Sequence, residues 1–315
     1  MNNNVRRFVA FGYLPADYYY VYNNRPDHNS KYRLIKVDGG ASRYNVLVNL
    51  AARGCNTKAI PIVHEDEVGN MILKFMKREG VDISDVLKSK YNETKIYHIY
   101  PNLSKERGKV STQFCPLCDT ESWIGKDEKF ASSKIMNLLR SDDVLILDGI
   151  RQNTTNFIKN CRNDKVLDIG RIKRLEEINN NSLLHILKKR IEVIQINESV
   201  EKYLFSRFRI SKNPINLFHL MNTGLLIITR GEKGADFIFG DDEFTTKKLI
   251  KPTVEIDDTG AGDAFFSVFI EEYYKNNKEI SQEFINEAFI KATELTAKVV
   301  AHLGARGHLY NGLLL

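Results

Sequence analysis

The chain has 315 residues, 43% of them hydrophobic, enough to bury a sizeable core in one large domain or two modest ones. Its 46 Lys and Arg against 40 Asp and Glu give a formal charge of +6, and the basic residues are scattered among acids, as in KDEK and EEYYKNNKE. That pattern argues against a nucleic-acid binder and for a solvated surface with mild attraction for anions. No run approaches the ~18 apolar residues of a membrane helix, and MNNNVRRFVAFG lacks a leader-like apolar segment. Cys55, Cys115, Cys118 and Cys161 are too sparse for a disulfide scaffold, so the expectation is a cytoplasmic protein with reduced thiols.

In chain order, compact apolar runs predict strands at Arg7 to Gly12, Lys58 to Val63, Val144 to Leu147, Lys165 to Asp168, Val193 to Ile196 and Leu225 to Thr229. Between them, helical spacing covers Asn45 to Arg53, Gly69 to Glu79, Asn153 to Asn160 and Glu198 to Phe205. This alternation is that of βαβ units around a mainly parallel sheet, in a chain undivided by repeats or low-complexity linkers. Two segments break the rhythm. Tyr18 to Val37 and Thr94 to Phe114 alternate as antiparallel hairpins, with NNRPDHN and NLSKERG as turns, and suggest a small sheet standing off the core as a lid or as surface decoration.

The chemistry concentrates in Glu255-Ile-Asp-Asp-Thr-Gly-Ala-Gly-Asp-Ala-Phe-Phe-Ser267, a strand-like start, a glycine turn and a helix beginning near Asp263. Gly260 and Gly262 let backbone N–H groups approach a ligand, and the helix N-terminus adds partial positive charge, so the turn suits phosphate oxygens. A carboxylate at the mouth of such an anion hole repels phosphate unless it accepts a proton from an attacking hydroxyl. Taken alone, the turn is equally compatible with Asp263 as a helix cap.

This run closely resembles the second signature of the ribokinase-like (PfkB) carbohydrate kinases, in which the Asp matching Asp263 is the catalytic base and the amides of Gly260, Ala261 and Gly262 form the anion hole. Three further stretches match the family in order. Gly12-Tyr-Leu-Pro-Ala-Asp17 resembles the first-strand motif, whose Asp binds sugar hydroxyls, and Gly39-Gly40-Ala-Ser-Arg-Tyr-Asn45 the Gly-Gly…Asn substrate motif, with Gly54, Gly69 and Gly80-Val81-Asp82 continuing it. Thr229-Arg-Gly231-Glu-Lys-Gly234 resembles the turn along which ATP lies. Asn197-Glu198-Ser-Val-Glu201 resembles the Asn-x-x-Glu motif that organises Mg²⁺ and phosphate, but Val200 stands where Glu is expected; Glu198 or Glu201 substituting through water and a solvated helix start explain it equally well. Further departures are an extra residue between Gly-Gly and Asn, Leu47, Asp258 and Val268, which touch substrate identity and any monovalent-cation site.

The resemblance implies one domain over residues 1–315, a three-layer α/β/α ribokinase-like core with a small β lid at about 13–37 and 94–118, ATP and Mg²⁺ as cosubstrates, and a homodimer through the lid. The implied reaction is transfer of the γ-phosphate to a small-sugar hydroxyl, with Asp17, Gly39, Gly40 and Asn45 on the substrate and Asn197, Thr229, Gly231 and Gly234 on ATP. Free monosaccharide leads by family frequency. A sugar phosphate would want cations, for which Arg33, Lys36 and Arg43 are placed, and a nucleoside would want stacking from Tyr18 to Tyr20, Tyr44 or Tyr97. A non-catalytic regulatory relative is the rival from another class. There is no G-x-x-x-x-G-K-[ST], H-R-D or D-F-G, and Cys115-Pro-Leu-Cys118 has no second ligand pair, so a P-loop enzyme, a protein kinase and a zinc site are disfavoured.

Overall fold

A computed structural model describes residues 6–22, 32–89, 93–100, 110–112, 128–150, 152–240, 243–248 and 254–309. Cys115, Cys118 and both hairpin turns lie outside these residues. The strands are β1 (Arg7–Tyr13), β2 (Ala16–Tyr22), β3 (Tyr32–Gly39), β4 (Asn56–Val63), β5 (Leu87–Lys88), β6 (Ile96–Tyr100), β7 (Val110–Thr112), β8 (Val144–Asp148), β9 (Asp164–Ile169), β10 (Ile191–Asn197), β11 (Thr223–Thr229), β12 (Ala235–Phe239) and β13 (Glu243–Lys247). The helices are α1 (Ser42–Ala52), α2 (Glu67–Arg78), α3 (Glu128–Leu138), α4 (Gln152–Asn160), α5 (Ile172–Glu176), α6 (Asn180–Leu187), α7 (Glu198–Phe208), α8 (Pro214–Leu220), α9 (Ala261–Lys275) and α10 (Gln282–Val300).

Among the described residues the main sheet runs β13-β12-β11-β10-β9-β8-β1-β4-β5, parallel from β11 to β5 with an antiparallel β11-β12-β13 edge. Side chains alternate between its faces because successive strand residues point to opposite sides. Leu225 and Ile227 of β11 join one core with α1, α2, α9 and α10, while Leu226 and Ile228 join the other with α3 to α8. Three layers result, as the sequence predicts. The sequence reading passes over the β12-β13 hairpin and α10, although Phe237 packs its ring against Phe265, Phe269 and Phe289 there.

The two predicted hairpins merge into one small sheet, β3-β2-β6-β7, through parallel pairing of β2 with β6. It continues directly from β1, and Gly39 at its far end leads into α1. Both connections deliver residues to the C-terminal edge of the parallel strands, where open α/β sheets bind ligands.

Candidate active site

A cavity of about 760 Å³ opens at that edge, between the small sheet, the N-terminus of α1, the ends of β8 and β9, and the turn before α9. Asp17, Asn45, Gly260 and Asp263 line it together. These residues are separated by up to 246 positions in sequence, and the fold brings them to one place because β2, α1 and α9 all begin or end at this edge.

The turn before α9 is built against the C-terminal segment. Asp257 is buried and accepts from Thr259 N at 3.0 Å and from Gly304 N at 2.9 Å, while Ile256 N donates to Val300 O at 2.7 Å. Gly260, at φ +81°, caps α9 in the left-handed region, and a Cβ there would stand 2.5 Å from that of Ala305. Only glycine fits. Gly262 is different: it is helical, and a Cβ would meet nothing closer than Gln195 Nε2 at 3.8 Å. The helix begins at Ala261, two residues before Asp263, so Asp263 sits in the first turn and the cap position belongs to Gly260.

The Asp263 carboxylate is held from α1. Ser42 Oγ donates to Oδ1 at 2.5 Å and Asn45 Nδ2 donates to Oδ2 at 2.9 Å. Burial pushes its pKa up to about 6, the Asp148 charge adds to the rise, and the two donors and Arg306 oppose it. Asp168, at the end of β9, is raised to about 7 by burial and by Asp263 and Asp148. Ser42 Oγ also lies 3.3 Å from Asp168 Oδ2. A hydroxyl has one proton to give, and the shorter contact takes it, so the longer one is satisfied when Asp168 is itself protonated. Gln195 ties this corner to the turn, donating to Asp168 Oδ1 at 3.4 Å and Gly262 O at 3.2 Å.

Gly39 and Gly40 have internal reasons to lack a side chain. A Cβ on Gly40 would stand 2.4 Å from Asp17 Oδ1, and one on Gly39 would stand 2.6 Å from Arg306 Nη1. Gly40 N donates to Pro15 O at 2.7 Å, closing the loop that presents the largely buried Asp17 to the cavity. The other predicted residues lie further along the sheet edge. Asn197 and Thr229 are register partners at the ends of β10 and β11, and Gly231 opens and Gly234 closes a one-turn 3-10 helix with φ of +56° and +99°; none of the four lines this cavity.

Asn197 works as the cap of α7, accepting from Val200 N at 2.9 Å and donating to Gly170 O at 2.9 Å. Glu201 is buried under a two-point pair with Arg230, at 2.7 and 2.9 Å, and the half-buried Glu198 pairs with Lys202 at 2.6 Å. Both glutamates are therefore engaged by cations, and among the described residues no group of three His, Cys, Asp or Glu is arranged to hold a metal. Of the alternative-substrate residues, Lys36 is buried against Asp38 at 3.1 Å and Leu303 O at 2.7 Å, and Tyr44 is buried with its hydroxyl on Gly12 O; Arg43 and Tyr97 do line the cavity.

Sequence reasoning did not single out Ser42, Asp148, Asp168, Arg174 or Arg306. Asp148 and Asp168 each follow an apolar run at a strand's C-terminal end, a readable signal, whereas nothing local marks Arg306.

The family model for pfkB family carbohydrate kinases matches residues 6–310. A 5-dehydro-2-deoxygluconokinase of Mesomycoplasma hyopneumoniae (strain 7448) is 24% identical over 286 residues, covering 86% of this chain and 80% of that protein. Among solved structures, a fructokinase with bound ATP from Xylella fastidiosa superposes with a TM-score of 0.74 at 16% identity, over 96% of this chain and 95% of the other. A ribokinase from Thermotoga maritima superposes at 0.72 with 17% identity, over 96% and 95%.

Proposed function

The chain belongs to the pfkB family of carbohydrate kinases, and from that premise we propose that it transfers the γ-phosphoryl group of ATP to a hydroxyl of a small sugar, as a single domain closed by its small sheet. The observation that carries the proposal is Asp263. It is a carboxylate in the first turn of α9, at the floor of a cavity shared with Asp17 and Asn45, and burial sets its pKa near 6. That value leaves a base that is ionised at neutral pH yet basic enough to take a hydroxyl proton as the oxygen attacks.

The residues divide the work. Ser42 and Asn45 fix the carboxylate, each occupying one lone pair of one oxygen, so the remaining lone pairs face the substrate hydroxyl. Asp17 accepts from neighbouring hydroxyls and orients the sugar. The amides of Gly260 and Gly262, with that of Ala261 shared with Asp258 O at 3.1 Å, and the N-terminal partial charge of α9 receive the charge that builds on the transferred phosphoryl oxygens. Mg²⁺ belongs with ATP as part of the substrate, since Glu198 and Glu201 are held by Lys202 and Arg230. Asn197, Thr229, Gly231 and Gly234 lie along the neighbouring strand ends, where the adenosine side of ATP would extend.

The test is an ATP-consumption assay with Mg²⁺ against pentoses, hexoses, their acids and phosphates, and nucleosides, on wild type and Asp263→Asn. Turnover with at least one acceptor, reduced by ~10²-fold or more in the variant at unchanged melting temperature, is expected. Wild-type turnover in Asp263→Asn would remove the assigned base, and nucleoside turnover alone would replace sugar as the acceptor.

A further inference from the structure

Five carboxylates and four cations line the cavity among the described residues. Asp258 and Asp263 lie in the turn before α9 and its first helical turn, and Asp168 lies near the end of β9. Asp17 and Asp148 line the same cavity, together with Arg43, Lys95, Arg171 and Arg174. Asp148 is matched twice, by Arg174 Nη1 at 2.8 Å from Oδ1 and by Arg43 Nη1 at 3.5 Å from Oδ2. Arg171 and Lys95 add two charges, and neither forms an ion pair among the described residues; Lys95 lies over the Tyr97 ring at 4.5 Å. Lys95 and Arg171 are thus the lining cations that no carboxylate engages among the described residues, and in a partly enclosed space such charges attract an anion more strongly than in open water.

Resting on the kinase reading above, we propose that the acceptor carries an anionic group besides its hydroxyls, a carboxylate or a phosphate, held by Lys95, Arg171 and Arg174. The placement separates this role from ATP binding. Arg171 caps α5 two residues after β9, Arg174 lies in α5 and Lys95 immediately precedes β6, and all three line the cavity with Asp17, whereas none of Asn197, Thr229, Gly231 and Gly234 does. Guanidinium groups suit the task because their parallel N–H donors match the two oxygens of a carboxylate or the edge of a phosphate. Arg174 is also pre-set: its Nη1 packs where a Cβ on Gly149 would stand 2.8 Å away, and donates to Asp148 O at 3.3 Å.

The experiment compares each sugar with its aldonic acid and its terminal phosphate ester, on wild type, Arg171→Gln and Lys95→Gln. The expected wild type prefers one anionic member over the neutral sugar by at least tenfold in kcat/KM, and which member wins tells carboxylate from phosphate. Each variant should lose about tenfold or more of that preference through KM for the acceptor, with KM for ATP and the slow turnover of neutral sugar unchanged. Preference for neutral sugar in wild type overturns the inference. So does an equal loss on neutral and anionic acceptors, which would assign the cations to the transferred phosphoryl group. Calorimetry of the same ligands without turnover reads binding alone. Anion-selective binding with no ATP consumption would sink the kinase reading and leave this site standing, and unselective or absent binding would overturn the site.

Discussion

Arg306 Nε donates to Asn45 Oδ1 at 3.0 Å across 261 positions of sequence. That bond fixes which way the Asn45 amide faces, because an oxygen engaged by a guanidinium leaves the Nδ2 donor turned to Asp263. Arg306 is fully buried and is paired to the buried Glu79 at 3.0 Å. Removing the cation strands Glu79. Arg306→Met should therefore lower stability by about 3–5 kcal/mol, and Arg306→Met with Glu79→Gln should recover much of it. The double variant should still show reduced kcat, since Asn45 has lost its orienting partner. Full kcat in a stable double variant would show that Arg306 serves packing alone.

Glu79 gives a pH signature of its own. Burial, with help from Asp38, raises its pKa to about 7 although Arg306 opposes the rise. A carboxyl whose folded pKa is raised binds more protons folded than unfolded between its ordinary value and about 7, so stability falls as pH rises through that window. Glu79→Gln should flatten the dependence of melting temperature on pH between about 4.5 and 7. An unchanged slope would mean that the buried pair stays ionised throughout.

The acid limb of activity should report Asp263. A base with its pKa raised to about 6 must lose its proton before it can act, so kcat/KM should climb with pH to about 6 and level above it. Asn45 holds the ionised form, so Asn45→Ala should move the limb to higher pH as well as lowering kcat. A limb that stays in place in Asn45→Ala would assign it to another group, Asp168 first.

Gly260 and Gly262 should separate under the same substitution. Gly260→Ala forces a side chain into φ +81° and against Ala305, so it should cost about 1–3 kcal/mol of stability and disturb the turn. Gly262→Ala meets no protein atom closer than 3.8 Å and should leave the melting temperature nearly unchanged. If kcat nevertheless falls tenfold or more in Gly262→Ala, the space in front of it is needed by the transferred phosphoryl group; undiminished kcat would show that no ligand atom packs against the Gly262 Cα.

The legibility of this molecule in its sequence follows the range of the forces involved. Apolar runs such as Val193 to Ile196 and Leu225 to Thr229 announce strands because burial on both faces of a parallel sheet demands unbroken hydrophobicity, and they lie within β10 and β11. The glycine turn before Asp263 is legible because a left-handed φ and a close contact leave a local mark. Ser42 and Arg306 leave none. A serine opening a helix and an arginine near the C-terminus are ordinary, and their meaning arises from contacts 221 and 261 positions away. Glu201 lies beside a motif that invites a ligand role, and Arg230, just past β11, pairs with its carboxylate through two bonds that no local pattern marks.

That claim is testable. Glu201 accepts both terminal nitrogens of Arg230, whose Nε donates to Asp236 at 2.5 Å, and Thr246 Oγ1 donates to the other Asp236 oxygen at 2.8 Å. The chain of bonds ties α7 to the connection between β11 and β12, which carries Thr229, Gly231 and Gly234. One guanidinium stands between two carboxylates and engages both, and the arginine pKa is driven up by the Glu201 and Asp236 bonds. A carboxylate so engaged has little left to offer a hydrated Mg²⁺, which requires water-filled octahedral geometry. Glu201→Gln keeps the shape and removes one charge, so it should cost about 1–3 kcal/mol of stability and raise KM for ATP a few-fold by loosening the turn. The Mg²⁺ concentration for half-maximal rate should stay as in wild type. Melting temperature, KM for ATP and a Mg²⁺ titration on one preparation decide it: a large shift in Mg²⁺ demand at unchanged melting temperature would make Glu201 a metal-organising group and Arg230 only its holder.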